Sequence, residues 1–170
     1  MARHRDPLLR ITRLLLFGMM AIAGLVALAM AVAIPGIWLF GNHVTIETAH
    51  FGRATFGAVT LLLAMVLAAA VLAALFLRKI VAIIDSVKLG SPFVPENAQR
   101  LRAAAWLVLG IEGLILLANL AGGWLAARVP DADVEIDLSF GWLVTALLLF
   151  ILARVFDQGT RLAQDVEGTV

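Results

Sequence analysis

Glu112 stands inside an otherwise apolar run, Gly110-Ile111-Glu112-Gly113-Leu114-Ile115-Leu116-Leu117-Ala118-Asn119. A carboxyl group in such a run costs roughly 2.5 to 3.5 kcal/mol to insert into a bilayer, so these acids face a bundle interior and often mark function. Asn119 lies seven residues on and shares the same helical face. Three chemistries are open to this pair: a polar path for a proton or ion, a conformational switch or ligand contact, and a plain packing hydrogen bond. Thr60 and Thr145, on neighbouring apolar runs, are the candidates to bond with it.

A second constellation is Ser91-Pro92-Phe93-Val94-Pro95-Glu96-Asn97, closed by Arg100. Pro92 forces the preceding residue extended, Pro95 suits the first turn of a helix, and Glu96 is favoured beside that helix's positive end. Pro92, Phe93, Glu96, Asn97 and Arg100 therefore read as a partner contact or hinge, or as a capped turn that merely positions two helices. In the turn reading, Glu96 and Asn97 bond backbone rather than a partner.

Metal chemistry is the third possibility. His43, Glu47 and His50 would share a face if their segment were helical, and imidazole with carboxylate suits zinc. The alternation of Val44-Thr45-Ile46-Glu47 instead has the period of a strand. Asp131, Asp133, Glu135 and Asp137 lack the central glycine and the distant glutamate of a calcium loop. No cofactor or metal is expected. Nor is an enzyme, because no nucleophile with a base and no phosphate loop stands at working spacing.

Four apolar stretches carry these residues: Leu14 to Phe40, Ala54 to Leu77, Ala103 to Ala127 and Leu138 to Phe156. Each reaches or approaches the roughly 20 residues that a helix needs to cross about 30 Å of hydrocarbon. Hydrophobic residues form 62% of the chain and charged residues 15%, against roughly 45 to 50% and 25% in soluble domains. The fold class is thus an all-α membrane protein with four transmembrane helices. The first stretch is too long for the apolar core of a cleaved signal, which spans about 7 to 15 residues, and is expected to remain. Pro35 is expected to kink or end its regular part.

Of the 13 Lys and Arg residues, all but Arg53 and Arg128 fall in the amino-terminal segment, the connection from Arg78 to Arg102, or the carboxyl-terminal segment. Cytoplasmic segments carry that excess, so both termini and the middle connection are expected inside. Val44 to Glu47 and Asp133 to Leu138 alternate with period two. They suggest a short two-stranded pairing between the outer loops. Ala64, Ala68 and Ala73, with Gly110, Gly113, Gly122 and Gly123, allow close helix contact, within one bundle or in a homo-oligomer.

After Lys79, the residues Ile80, Ile83, Ile84 and Val87 continue a helical period, with Gly90 placed to end it. Residues 78–102 thus read as a cytoplasmic helical hairpin. The tail, 157–170, continues the fourth helix with Phe156, Ala163 and Val166 on one side and Gly159 allowing close approach. Its acids, Asp157, Asp165 and Glu167, permit docking on the basic hairpin, and removal of residues 160–170 is expected to expose that hairpin. The alternative is that the basic hairpin faces anionic lipid.

The block from Ile83 to Arg102, with Gly90-Ser91-Pro92-Phe93-Val94-Pro95-Glu96-Asn97-Ala98-Gln99-Arg100-Leu101 at its centre, resembles a bacterial membrane family known only as domain of unknown function 2975. So do Asp137-Leu138-Ser139-Phe140, the run Ala153 to Leu162, and the closing Gly168-Thr169-Val170. The resemblance implies four helices, an inner-membrane location and no established activity. It brings no catalytic residues. Members of that family are often encoded beside a small repressor of the Cro and C1 type, which implies a cytoplasmic transcriptional regulator as partner. Direct contact of this chain with nucleic acid is not expected, because basic residues beside a bilayer are accounted for by topology and lipid.

Overall fold

Within a bilayer no water satisfies backbone N–H and C=O groups, so long apolar runs close those bonds internally as helices. The computed structural model describes residues 7–40, 53–88, 92–127 and 141–167. They form four helices: α1 (Pro7–Phe40), α2 (Arg53–Lys88), α3 (Pro95–Ala126) and α4 (Gly141–Glu167). All four are long and apolar enough to cross a membrane. The described residues hold no strand. The segments suggested to pair as strands, with His43, Glu47, His50 and the acids from Asp131 to Asp137, lie outside the described residues, as does Gly90.

Helix lengths exceed what a bilayer needs. At 1.5 Å per residue, the 36 residues of α2 and the 32 of α3 span roughly 54 and 48 Å, against about 30 Å of hydrocarbon. Both helices therefore extend well past the apolar layer. Trp106 and Trp124, both largely exposed, stand about 27 Å apart along α3 by the same rise. Exposed tryptophans favour the two membrane interfaces, and this spacing is close to one hydrocarbon thickness. Residues 95–102 of α3 then project beyond it, together with the end of α2.

Pro35 does not end α1, which continues to Phe40. Its missing donor costs one bond near the helix terminus, where the remaining turn still closes.

Helices pack only with their chain neighbours: α1 on α2, α2 on α3, and α3 on α4, with no other close pairing among the described residues. The result is a row rather than a closed bundle. At one end Arg13 pairs with Asp85 at 3.5 Å. Near the other, Trp38 Nε1 donates to Thr60 Oγ1 at 3.1 Å. These two contacts fix α1 antiparallel to α2 and bring Arg13 to the hairpin end.

Burial is concentrated where the helices project. Leu77, Asn97, Ala98, Leu101, Ala104, Ala105, Ala153 and Thr160 are buried, while Leu14, Leu28, Leu61, Leu117, Leu148 and Ile151 are exposed. Exposed aliphatics are what lipid-facing helix surfaces require, since lipid tails offer no penalty to them. Alanines at the buried positions let α3 approach both neighbours. Gly110 serves the same end, because a Cβ there would meet Leu72 Cδ1 at 3.3 Å. At Gly113 and Gly122 an added Cβ meets nothing within 4 Å, so those glycines are not used in contacts among the described residues.

Candidate functional site

The turn between α2 and α3 is built around Asn97. Val94 holds an extended conformation (φ −117°, ψ 146°) and Pro95 opens the helix, where its fixed φ fits and its missing N–H is no loss. The Asn97 N–H donates to the Val94 carbonyl at 3.0 Å. Its side chain is fully buried, and a buried amide must satisfy its donors and acceptor or cost about 1 to 3 kcal/mol for each group left bare. Nδ2 donates to Ser86 Oγ at 2.6 Å and to the Pro92 carbonyl at 2.9 Å. Oδ1 accepts from Arg100 Nη1 at 2.8 Å.

Arg100 and Ser86 carry the network into α2. Arg100 Nη1 also donates to the Ala82 carbonyl at 3.3 Å, and Ser86 Oγ donates to the Ile83 carbonyl at 2.7 Å. A cation near the last turns of a helix is favoured by the partial negative charge there. One side chain thus ties α2, the turn and α3 together. Among the described residues no buried side-chain nitrogen or oxygen lacks a partner.

The five hairpin residues separate into two groups. Pro92, Asn97 and Arg100 are joined in the network. Phe93 is 49% exposed, and Glu96 is exposed with no hydrogen bond or ion pair to a described residue. The backbone-capping role foreseen for Glu96 is not taken: α3 has no side-chain cap bond. Ser86 is the member that sequence reasoning missed. Its signal was a hydroxyl on the otherwise apolar face of α2 that includes Ile83.

Phe93 reaches the fourth helix. Its ring lies 5.5 Å from that of Phe156, tilted by 43°, and covers Gly159, where an added Cβ would stand 2.6 Å from Phe93 Cδ1. Thr160 is buried beside this contact and donates to the Phe156 carbonyl at 2.8 Å. Docking of α4 on the hairpin at Phe156 and Gly159 is therefore aromatic and steric. Residues 161–165, including Ala163, are exposed. Asp157, one of the acids expected to meet the basic hairpin, instead pairs with Arg161 one turn away on its own helix at 3.2 Å.

The intramembrane pair is only partly assembled. Glu112 and Asn119 continue the line of α3 that begins with the buried Ala98 and Ala105, yet both are only partly covered. Neither threonine joins them. Thr60 Oγ1 donates to the Phe56 carbonyl at 2.8 Å and accepts from Trp38, and the exposed Thr145 donates to the Gly141 carbonyl at 3.1 Å. A hydroxyl in a helix readily bonds the carbonyl one turn back, and this local bond competes with interhelical ones. Glu112 makes no hydrogen bond or ion pair with a described residue.

A family model described as "Protein of unknown function (DUF2975)" matches residues 44–170. The match includes α2, α3 and α4 and every residue of the hairpin network. The chain belongs to the DUF2975 family. No curated protein matches it, and no solved structure does. The DUF2975 match begins after α1 and takes in the block from Gly90 to Leu101, so the family region contains both the Asn97 lock and its Phe93 contact with α4.

Proposed function

We propose that this DUF2975 chain is a regulatory or accessory membrane protein, not an enzyme, whose α2–α3 hairpin meets a cytoplasmic partner. A small repressor of the Cro and C1 type is the partner to test first. The observation that carries this reading is the contact of Phe93 with Gly159. A ligand gripping the exposed part of Phe93 and the exposed Glu96 would act on α4 through that contact, while Asn97 and Arg100 keep the turn itself rigid. The hairpin's projection past the hydrocarbon leaves it within reach of a soluble protein. Basic residues gathered at this end support a cytoplasmic hairpin and termini in an inner membrane.

The test is co-purification of the full chain in detergent with a repressor encoded beside it. Retention that is lost on Phe93→Ala or Glu96→Ala, with helix content unchanged, would support the reading. Equal retention by both variants would refute the hairpin as the contact.

The alternative is a small transporter or channel component, favoured by Glu112 standing between Trp106 and Trp124 with no partner among the described residues. Proton uptake into vesicles that is unchanged by Glu112→Gln would remove it.

A further inference from the structure

Arg102 on α3 and Arg154 on α4 are both exposed. Their positions follow from a contact one turn away: Trp106 and Phe150 meet edge to face with ring centroids 5.5 Å apart. The helices run antiparallel, since Phe93 at the start of α3 touches Phe156 toward the end of α4. Residues four apart on a helix share a face, so each arginine lies about one turn beyond its aromatic, toward the hairpin end. The two arginines therefore stand at the same level, one turn beyond this aromatic contact on adjoining helices of the α3–α4 seam.

Neither arginine forms an ion pair among the described residues. The acid nearest Arg154 along α4, Asp157, gives its Oδ2 to Arg161. Two adjacent cations repel unless an anion bridges them, and the planar guanidinium fork matches the oxygens of a phosphate. Depth supplies the second argument. Trp106 is 64% exposed, about 27 Å along α3 from Trp124, and exposed tryptophans favour the interface of a bilayer. One turn farther out, at roughly 5 Å, is the level of lipid phosphates. Gln99 and Gln158, also exposed, follow on the same faces and offer amides to the rest of a headgroup.

We propose that Arg102 and Arg154, bordered by Trp106 and Phe150, bind the phosphate of an anionic phospholipid in the leaflet at the hairpin end. The site does not depend on the partner reading, since it involves neither Phe93 nor Glu96. It gives the α3–α4 seam a lipid ligand where no described residue pairs with either arginine.

Native mass spectrometry of the detergent-purified full chain tests this, with phosphatidylglycerol and phosphatidylcholine of matched acyl chains. Phosphatidylglycerol is expected to be retained in preference. The double variant Arg102→Gln/Arg154→Gln should weaken that retention about ten-fold, with phosphatidylcholine unaffected. Arg10→Gln/Arg78→Gln removes the same charge from α1 and α2 and is expected to bind like the wild type. Should the glutamine pair fail to fold, Arg102→Lys/Arg154→Lys keeps the charge, loses the fork, and is expected to bind several-fold more weakly. Equal binding of the two lipids, or equal loss in the α1 and α2 control, would overturn the proposal. Displacement of the lipid by an equal concentration of inorganic phosphate would overturn the lipid as occupant.

Discussion

The ring of Phe93 occupies the space that a side chain on Gly159 would fill, with Cδ1 only 2.6 Å from where a Cβ would stand. The connection between α2 and α3 thus reaches across to α4, which touches neither α1 nor α2 directly among the described residues. In a row of helices held by neighbour contacts, this single ring provides a tie from the hairpin to the last helix.

Gly159→Ala should push Phe93 out of its seat and destabilise the hairpin end by about 1 to 3 kcal/mol, the usual range for overpacking. Thermal unfolding in detergent reads the loss, and limited proteolysis near residue 93 should speed up. In a Phe93→Ala background the same substitution should cost much less. An undiminished cost there would show that the clash lies elsewhere.

Asn97→Ala removes the group that satisfies Ser86, Pro92 and Arg100 together. A loss of about 1 to 3 kcal/mol is expected, and Arg100→Ala made on top of it should add less than it does alone, because the two share a network. Equilibrium unfolding of the four proteins of this cycle measures the coupling. Strict additivity would deny the network.

Truncation after Thr160 should leave the hairpin as resistant to protease as in the full chain, since residues 161–165 are exposed and Phe156, Gly159 and Thr160, which dock on it, are kept. Truncation before Phe156 should release it. Digestion patterns resolved by mass spectrometry distinguish the two, and early cleavage in the chain truncated after Thr160 would restore an electrostatic role for the tail.

The Arg13–Asp85 pair joins α1 to the hairpin end with side chains 45% and 41% exposed. Solvent screening at such exposure limits the pair to about 0 to 1 kcal/mol. A double-mutant cycle with Arg13→Ala and Asp85→Ala should give a coupling in that range that shrinks with added salt. A larger, salt-independent coupling would mean that the pair is shielded by lipid.

The sidedness of the membrane reading can be checked directly, because the chain has no cysteine. Glu96→Cys should react with an impermeant maleimide only from the cytoplasmic face, and Ala127→Cys only from the opposite face. Labelling of both from one side would contradict an antiparallel arrangement across the bilayer.

Four helices, their approximate limits and the proline-opened start of α3 were legible in the sequence, because apolar run length and the fixed geometry of proline act locally. The choice of Gly159 for close approach was legible too, as a small residue on the docking face of α4. The order of the helices in space was not. Composition shows that a helix must be covered, but lipid covers it as well as protein does, so nothing local separates a closed bundle from a row. Nor did residue types reveal which polar groups would meet. Glu112, Asn119, Thr60 and Thr145 invited one another by placement on apolar spans, yet each threonine bonds its own helix and the assembled network lies at Asn97, Ser86 and Arg100. Hydrogen bonding is decided within about 3 Å, and only the packing of α2 against α3 sets positions that finely.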